Sequence, residues 1–461
     1  MENDLDLVVI NPKSESFFPA HMKKRTNVGI LSIASYAHRS GYKVKILDFE
    51  RSHECLETIC AFLSSLKVRI IAINCTSCYS YRSLKTIVTN LKVPAESLLI
   101  VGGQQVIGLR ERIFEDIPQL QFACFGEGEA TILHLLSHFP KLEYLNAPGL
   151  VYKNGARICE SPPKQLSFQE LGSLAYSIYP DYQDTIPTIE ESRGCPFRCA
   201  FCINNSGTIR TMIKPWGNII QEMLEIHELY GRQKLLVNLG CSTFGIDEQN
   251  ALNLLQNLKA HKEKFVIQTY TRCDIKFENW IEHLKDLDIS TIYFGMESAS
   301  AQILRRMRKT NSPREYVQRS QNLINLFHAN GINLWCNFIL GYIGETPDSL
   351  SQTIEFILRN RRKIGLLTCS PLLAYPGTQI YKNLDKLVEN GSVSIAYSGS
   401  MPDAFLYQIN PSVDFSHDQM YALSRILSKI VNNQQDFLRL YDPVLRPRGS
   451  DPHSAEENFR Q

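Results

Sequence analysis

Glu191-Ser192-Arg193-Gly194-Cys195-Pro196-Phe197-Arg198-Cys199-Ala200-Phe201-Cys202 sets three thiols in one short loop with C-x3-C-x2-C spacing. Thiolates that close together can converge on one metal centre, and soft sulfur donors select zinc or an iron–sulfur cluster. A structural zinc site closes its shell with four ligands, usually from paired C-x2-C knuckles. Here the next cysteine along the chain is Cys241, so the loop offers three ligands and stops. A four-iron cluster held by three thiolates keeps one iron open for a ligand that is not protein.

Outward from this loop, strands alternate with helices in both directions. Residues 188–193 read as a strand directly before it, and further strands are expected near 234–240, 265–271, 290–296, 333–340 and 365–371. Six β/α units are fewer than the eight that close a full barrel, and barrels place their sites where this loop lies, after a strand. Upstream, Leu7-Val8-Val9-Ile10, Val44-Lys45-Ile46-Leu47, Ile70-Ile71-Ala72-Ile73, Leu98-Leu99-Ile100-Val101 and Phe122-Ala123-Cys124-Phe125 read as buried strands. Helical stretches at 28–40, 54–66, 81–92 and 128–138 separate them. That alternation predicts a doubly wound parallel sheet, whose ligands bind beyond the carboxyl ends of the strands. Prolines at 162, 163, 180 and 187 mark a linker. The expected organisation is a doubly wound domain over 1–150, a linker over 151–187, a partial barrel over 188–380, a substrate-covering region over 381–445 and a disordered tail over 446–461.

The cysteine spacing, with aromatic Phe201 before the last thiol, resembles the signature of the radical S-adenosylmethionine (SAM) enzymes. Later strand ends agree with it in order. They are Leu239-Gly240-Cys241-Ser242-Thr243-Phe244, Thr271-Arg272-Cys273-Asp274 and Phe294-Gly295-Met296-Glu297-Ser298, then Gly341-Tyr342-Ile343-Gly344-Glu345-Thr346 and Ala374-Tyr375-Pro376-Gly377-Thr378. A doubly wound domain before such a barrel is similar to the cobalamin-binding, class B methyltransferase-like branch of the family. The matching features are Asn27-Val28-Gly29-Ile30, Gly41-Tyr42-Lys43-Val44 leading to Asp48, Val101-Gly102-Gly103 and Gly126-Glu127-Gly128-Glu129, so residues 5–380 carry the likeness.

The resemblance implies an α/β chain in which a Rossmann-like cobalamin-binding-type domain precedes a partial (β/α)6 radical SAM barrel and a small C-terminal extension. It implies a [4Fe-4S] cluster on Cys195, Cys199 and Cys202, whose open iron chelates the amino and carboxylate groups of SAM. An electron from the cluster then cleaves the sulfonium to methionine and a 5′-deoxyadenosyl radical. Phe201, Gly240, Arg272, Glu297, Ser298, Gly341 and Tyr375 are the implied SAM contacts. An arginine fork suits a carboxylate, and glycine at 341 allows close backbone approach to the adenine. Asn11, Thr76, Ser77, Gly102, Gly103, Gly126, Glu127 and Gly128 are the implied cobalamin contacts. The chain departs from the pattern at four places. Cys241 and Ser242 stand where paired aspartates are common, Ile343 where proline is, and Gln104-Gln105 where relatives usually carry Pro-His. The fourth is the lack of an Asp-x-His-x-x-Gly histidine. Cys241 reads either as a packing residue or as a thiol facing the site. The implied activity is cobalamin-dependent methylation of an unactivated carbon, with radical rearrangement, cyclisation or oxidation without methyl transfer as the alternative. The implied partners are a small-molecule or peptide substrate and a reductase such as flavodoxin or ferredoxin.

Composition sets outer bounds. The chain's 461 residues suit two or three domains, and a net charge of +2 gives no electrostatic case for nucleic acid. No apolar run reaches the length of a membrane span, and Met1-Glu2-Asn3-Asp4-Leu5-Asp6 has no basic, apolar leader pattern. Thirteen scattered cysteines do not form a secreted disulfide framework, so a cytoplasmic location is expected. Tyr397, Phe405, Tyr407 and Tyr421 are aromatic candidates for the substrate cover, and Tyr79 and Tyr81 for the interdomain cleft.

Overall fold

The computed structural model describes residues 5–14, 25–51, 54–205 and 209–432. Its first sheet is built from β1 (Leu5–Asn11), β2 (Val44–Asp48), β3 (Val68–Asn74), β4 (Leu98–Gly102) and β5 (Phe122–Cys124). These five run parallel in the order β2-β1-β3-β4-β5. Leu7 to Ile10 are all buried because helices cover both faces, which is why the run is apolar without alternation. The crossovers are α1 (Val28–Arg39), α2 (Leu56–Ser65), α3 (Tyr81–Asn90) and α4 (Gln104–Leu109), and α5 (Gly128–His138) follows β5. Asn27 caps α1 by accepting from the Ile30 N–H. The winding reverses between β1 and β3, so the ligand crevice opens above their carboxyl ends.

This sheet runs past residue 150, where the sequence places the domain's end. The hairpin β6 (Leu150–Asn154) and β7 (Arg157–Glu160) extends it antiparallel from β5. The two-residue loop Gly155-Ala156, with Gly155 at φ +61°, closes the hairpin between the paired Asn154 and Arg157.

The second sheet begins with β8 (Thr188–Glu190), and the hairpin β9 (Ser192–Arg193) and β10 (Met212–Ile213) brackets the cysteine loop. The sheet continues through β11 (Leu235–Gly240), β12 (Phe265–Thr271), β13 (Ile289–Glu297), β14 (Leu334–Leu340) and β15 (Leu366–Pro371). All six of its strands are parallel and pair in chain order, as expected for a partial barrel. One strand face buries Val237, Ile267, Ile292 and Cys336 against α6 (Trp216–Tyr230), α7 (Glu248–Leu258), α8 (Pro313–Ala329) and α9 (Pro347–Asn360). The opposite face carries Gln268, Tyr270, Tyr293 and Trp335. Tyr270 and Tyr293 stack at 4.6 Å, and Trp335 lies 4.9 Å from Tyr293.

A small antiparallel sheet of β16 (Leu373–Ala374), β17 (Ser394–Met401) and β18 (Leu406–Asn410) follows, and α10 (His417–Val431) lies along β15. The Asn432 amide bonds both backbone groups of Leu367, at 2.7 and 2.9 Å, and so occupies part of the open sheet edge. Residues 433–445 of the expected substrate cover and the expected tail lie outside the described residues.

Contacts at several points join the first domain to the barrel and to the C-terminal sheet. Arg25 forms a parallel bridge with Ile186, and the Thr188 N–H donates to Thr26 Oγ1, at the free edge of β8. Arg25 then reaches Gln268 at 2.7 Å and Tyr293 at 2.5 Å, and bonds Tyr270 as well. Arg82 pairs with Asp403, and Gln105 Nε2 donates to the Ala404 carbonyl at 3.1 Å, tying the C-terminal sheet to α3 and α4. Gly108 is the tightest point, since a Cβ there would lie 2.5 Å from the Pro376 carbonyl oxygen. Gly108→Ala is expected to lower stability by about 2 kcal/mol, because neither backbone can yield easily. Chemical unfolding of the variant beside the parent measures it.

Candidate active site between the two sheets

The cysteine loop leaves β8 and β9 at the carboxyl end of the barrel. Gly194 has φ +72°, and a Cβ there would meet the Arg210 carbonyl oxygen at 2.7 Å, so the β9–β10 hairpin needs glycine at this point. The loop is held from outside: the Ala200 N–H donates to the Met307 carbonyl at 2.8 Å, and the Gln379 N–H to the Ala200 carbonyl at 3.1 Å. Cys199 is buried, and Cys195 and Cys202 are half-buried.

The three thiols lie within one another's electrostatic field. Burial raises Cys195 and pushes Cys202 up to about 11, and the neighbouring thiols add to both shifts. Arg272 and Lys309 act the other way on Cys195. Arg272 Nη1 approaches Cys199 Sγ at 3.5 Å, and its guanidinium stacks 3.5 Å from the Phe197 ring. Burial opposes the charge on Arg272, but Tyr316, Asp274 and Cys199 more than reverse that and raise its pKa. Lys309 pairs with Glu297 at 3.1 Å, and its carbonyl accepts from Arg272 at 2.5 Å. Protein cations therefore ring a set of soft donors. Among the described residues no three His, Cys, Asp or Glu side chains converge on a point that could hold one metal ion. Thiols spread around a loop fit a multinuclear cluster, in which each sulfur binds its own iron.

Two adjoining cavities separate the sheets. The first, about 470 Å³, lies between the first sheet's strand ends at Asn74, Thr76, Gly102 and Gly126 and the barrel residues Glu190, Arg193, Gly240 and Cys241. The second, about 640 Å³, runs from Asn11 and Ser77 to Phe201, Cys202 and Tyr375. Asn27, Thr76, Gln104 and Ile203 line both.

The residues expected to contact cobalamin come together here. Thr76, Gly102, Gly103, Gly126, Glu127 and Gly128 line the first cavity, while Asn11 and Ser77 line the second beside Thr76. The residues expected to contact SAM divide. Gly240 faces the first cavity, Phe201 and Tyr375 face the second, and Arg272 and Glu297 gather around Cys199 and Lys309. Ser298 sits in neither cavity: it is buried, with its hydroxyl 3.1 Å from Thr353 Oγ1 and accepting from the Ser300 N–H. Gly341 is also elsewhere. A Cβ there would meet Met420 at 2.6 Å and Pro411 at 2.9 Å, so its missing side chain seats the C-terminal helix instead of opening room beside an adenine. Cys241 lines the first cavity with its thiol near Thr269 Oγ1, and burial raises its pKa far above the ordinary value.

The aromatic candidates divide as well. Tyr397 and Tyr421 are exposed, and Phe405 packs edge-on against Tyr81 in the first domain's core. Tyr407 lies beside Tyr381, while Tyr79 packs against the first-domain core and hydrogen-bonds Tyr375 across the joint, as the interdomain-cleft reading expects. Tyr81 is fully buried and donates to Asp116 at 2.8 Å.

Sequence reasoning misses the charge at the centre. Arg193 meets Glu129 at 2.9 Å, Glu190 at 2.8 Å, Glu127 at 3.4 Å and Ser32 Oγ at 2.8 Å. Burial alone would weaken its charge, but Glu129, Glu190 and Glu127 outweigh that and raise its pKa. Burial also pushes Glu127 up to about 7, against the pull of Arg193. The only available signal was an arginine two residues before the first thiol, and spacing does not announce a buried ion cluster.

A doubly wound α/β domain thus faces the three-thiol loop of a six-strand partial barrel. The sequence profile of the radical SAM superfamily matches residues 189–357, and that of the B12 binding domain matches residues 24–136. The chain thus carries a radical SAM domain preceded by a B12 binding domain. A protein of Pyrococcus horikoshii named as an uncharacterized methyltransferase is 25% identical over 368 residues, covering 77% of each chain. The radical SAM methyltransferase TsrM of Kitasatospora setae, solved with cobalamin and a [4Fe-4S] cluster, superposes with a TM-score of 0.70 at 14% identity. That match covers 86% of this chain and 82% of TsrM. The cobalamin-dependent SAM radical enzyme OxsB, solved with aqua-cobalamin and SAM, also gives 0.70 at 17% identity, covering 95% of this chain and 70% of OxsB. At such identities these two structures show the fold. Among the described residues no helix is long and apolar enough to cross a membrane.

Glu191, just before the loop, is fully buried, and neither carboxylate oxygen has a partner. Burial pushes its carboxyl up to about 7 from an ordinary 4.5, so stability falls as the pH rises through that interval. Glu191→Gln is expected to stabilise the protein by about 2 kcal/mol at pH 8 and hardly at all near pH 4. Urea unfolding at the two pH values checks it.

Proposed function

We propose that the protein is a cobalamin-dependent radical SAM methyltransferase acting on an unactivated carbon. The observation that carries this reading is that Cys202 and Phe201 of the cysteine loop share a cavity with Asn11, Thr76 and Ser77 of the corrinoid-type domain. Bound in these cavities, the cluster would supply the electron that cleaves SAM to a 5′-deoxyadenosyl radical, and cobalamin would carry the methyl group.

Cys195, Cys199 and Cys202 are the proposed cluster ligands. Arg272 and Lys309 keep positive charge beside the thiolates, and Glu297, held against Lys309, offers a carboxylate at the end of β13 for the SAM amino group. Phe201, Gly240 and Tyr375 would bound SAM, while Thr76, Gly102, Gly103, Gly126, Glu127 and Gly128 would bound the corrinoid. Covering the reacting carbon with both domains keeps water and oxygen from the radical. A flavodoxin- or ferredoxin-type reductase and a small-molecule or peptide substrate complete the scheme.

Replacing any one of Cys195, Cys199 or Cys202 by alanine is expected to take iron from about four per chain towards zero and to abolish 5′-deoxyadenosine formation. Iron analysis with chromatography of the anaerobic reaction reads both, and a variant that still cleaves SAM removes that cysteine from the ligand set. Methyl-labelled SAM added to the reduced, loaded protein should leave label in the corrinoid fraction. If 5′-deoxyadenosine forms and the corrinoid stays unlabelled, the chemistry is rearrangement, cyclisation or oxidation instead.

A further inference from the structure

The cysteine loop is tied to the first domain on both flanks. Upstream, Arg193 stands two residues before Cys195 and binds Glu127, Glu129 and Ser32 of that domain. Downstream, Asn204 stands two residues after Cys202. It accepts from Gln104 Nε2 at 3.1 Å and donates to Ser242 Oγ at 3.0 Å. Gln104, Glu127, Glu129, Arg193, Asn204 and Ser242 all line the first cavity.

The upstream tie is not at rest. One guanidinium faces three carboxylates, and Glu127 makes the longest contact, 3.4 Å, with its second oxygen Oε2 buried and unpartnered. A buried acceptor without a donor is costly, so Glu127 is the carboxylate of the three that gains by turning into the cavity it lines, where an amide N–H on the rim of a ligand would reach it. Binding Glu127 that way would leave Arg193 to Glu129 and Glu190, and so shift the segment that enters Cys195. Gln104, at the start of α4, would pass the same event to the Cys202 side.

We infer that Arg193 and Gln104 are positioning residues that couple corrinoid occupancy of the first cavity to the stability of the cluster; this rests on the assignment of that cavity to cobalamin. Coupling needs a connected set of contacts that both sites bias, and these ties provide one on each flank. A corrinoid, whose rim carries amides, would then tighten the loop around its cluster before SAM arrives.

The test uses the full chain, reconstituted anaerobically with iron and sulfide, and follows iron release to a chelator with and without hydroxocobalamin, in the absence of SAM. Cobalamin is expected to slow release about fivefold or more in the parent protein. In Arg193→Lys, which keeps the charge and loses the fork, and in Gln104→Ala, the ratio with and without cobalamin should fall towards one, although the optical spectrum shows the corrinoid bound. A merely structural role would change the basal rate and leave that ratio alone. Release that ignores bound cobalamin, or slows equally in all three proteins, overturns the coupling and leaves the proposed function standing. A parent protein that binds no cobalamin overturns both.

Discussion

A parallel sheet delivers every strand's carboxyl end to one edge, so its loops and their unpaired polar groups collect there. This chain builds two such sheets and sets their carboxyl edges face to face, with the cysteine loop between them. Much else follows from that opposition. The cavities lie where neither sheet can fill space with regular structure. Gly103 and Gly126, at strand ends that line the first cavity, have positive φ, and a Cβ there would meet the Cys75 carbonyl oxygen at 2.6 Å or Pro163 at 2.8 Å, so the backbone turn itself needs glycine. The segment at Arg25 and Thr26 crosses the gap and adds to the edge of β8, which fixes how the two sheets meet.

Electrostatics sets the terms inside. Burial holds the thiols of Cys195 and Cys202 above their ordinary range. Arg272 and Lys309 alone do not overcome that, so the thiolates need the iron itself to stabilise them. On the other side of the loop the balance is reversed, with three carboxylates around Arg193. The loop thus runs between two buried ion-paired sets, Arg272 and Lys309 with Asp274 and Glu297 on one side and Arg193 with three carboxylates on the other.

The barrel was legible because each of its strands ends in a short, family-like segment, and the strand predictions lie on β8 and β11 to β15. The first five strands of the doubly wound sheet were equally plain as apolar runs. The hairpin at 150–160 was overlooked because a single glycine at its two-residue loop, Gly155-Ala156, is a local signal with weak flanking alternation. Single residues fared less evenly. Gly102, Gly126 and Gly240 at strand ends and Cys202 of the loop line the cavities, since backbone position alone brings them there. Ser298 and Gly341 did not, because their surroundings are set by Thr353 and Met420, each far away in sequence. In the sequence the Gln104-Gln105 pair stood out as a departure from the pattern of corrinoid-binding relatives. In the fold both amides are bonded, to Asn204 and to Ala404, and serve the joint between domains.

Anaerobic reconstitution with iron, sulfide and hydroxocobalamin, followed by metal and corrinoid analysis of the gel-filtered protein, tests the central claim most directly. Two cofactors facing each other across one gap predict about four irons and one corrinoid on the same chain, with the iron lost when the three cysteines are replaced. Zinc on those cysteines, or a complete cluster on a chain that retains no corrinoid, would contradict the account.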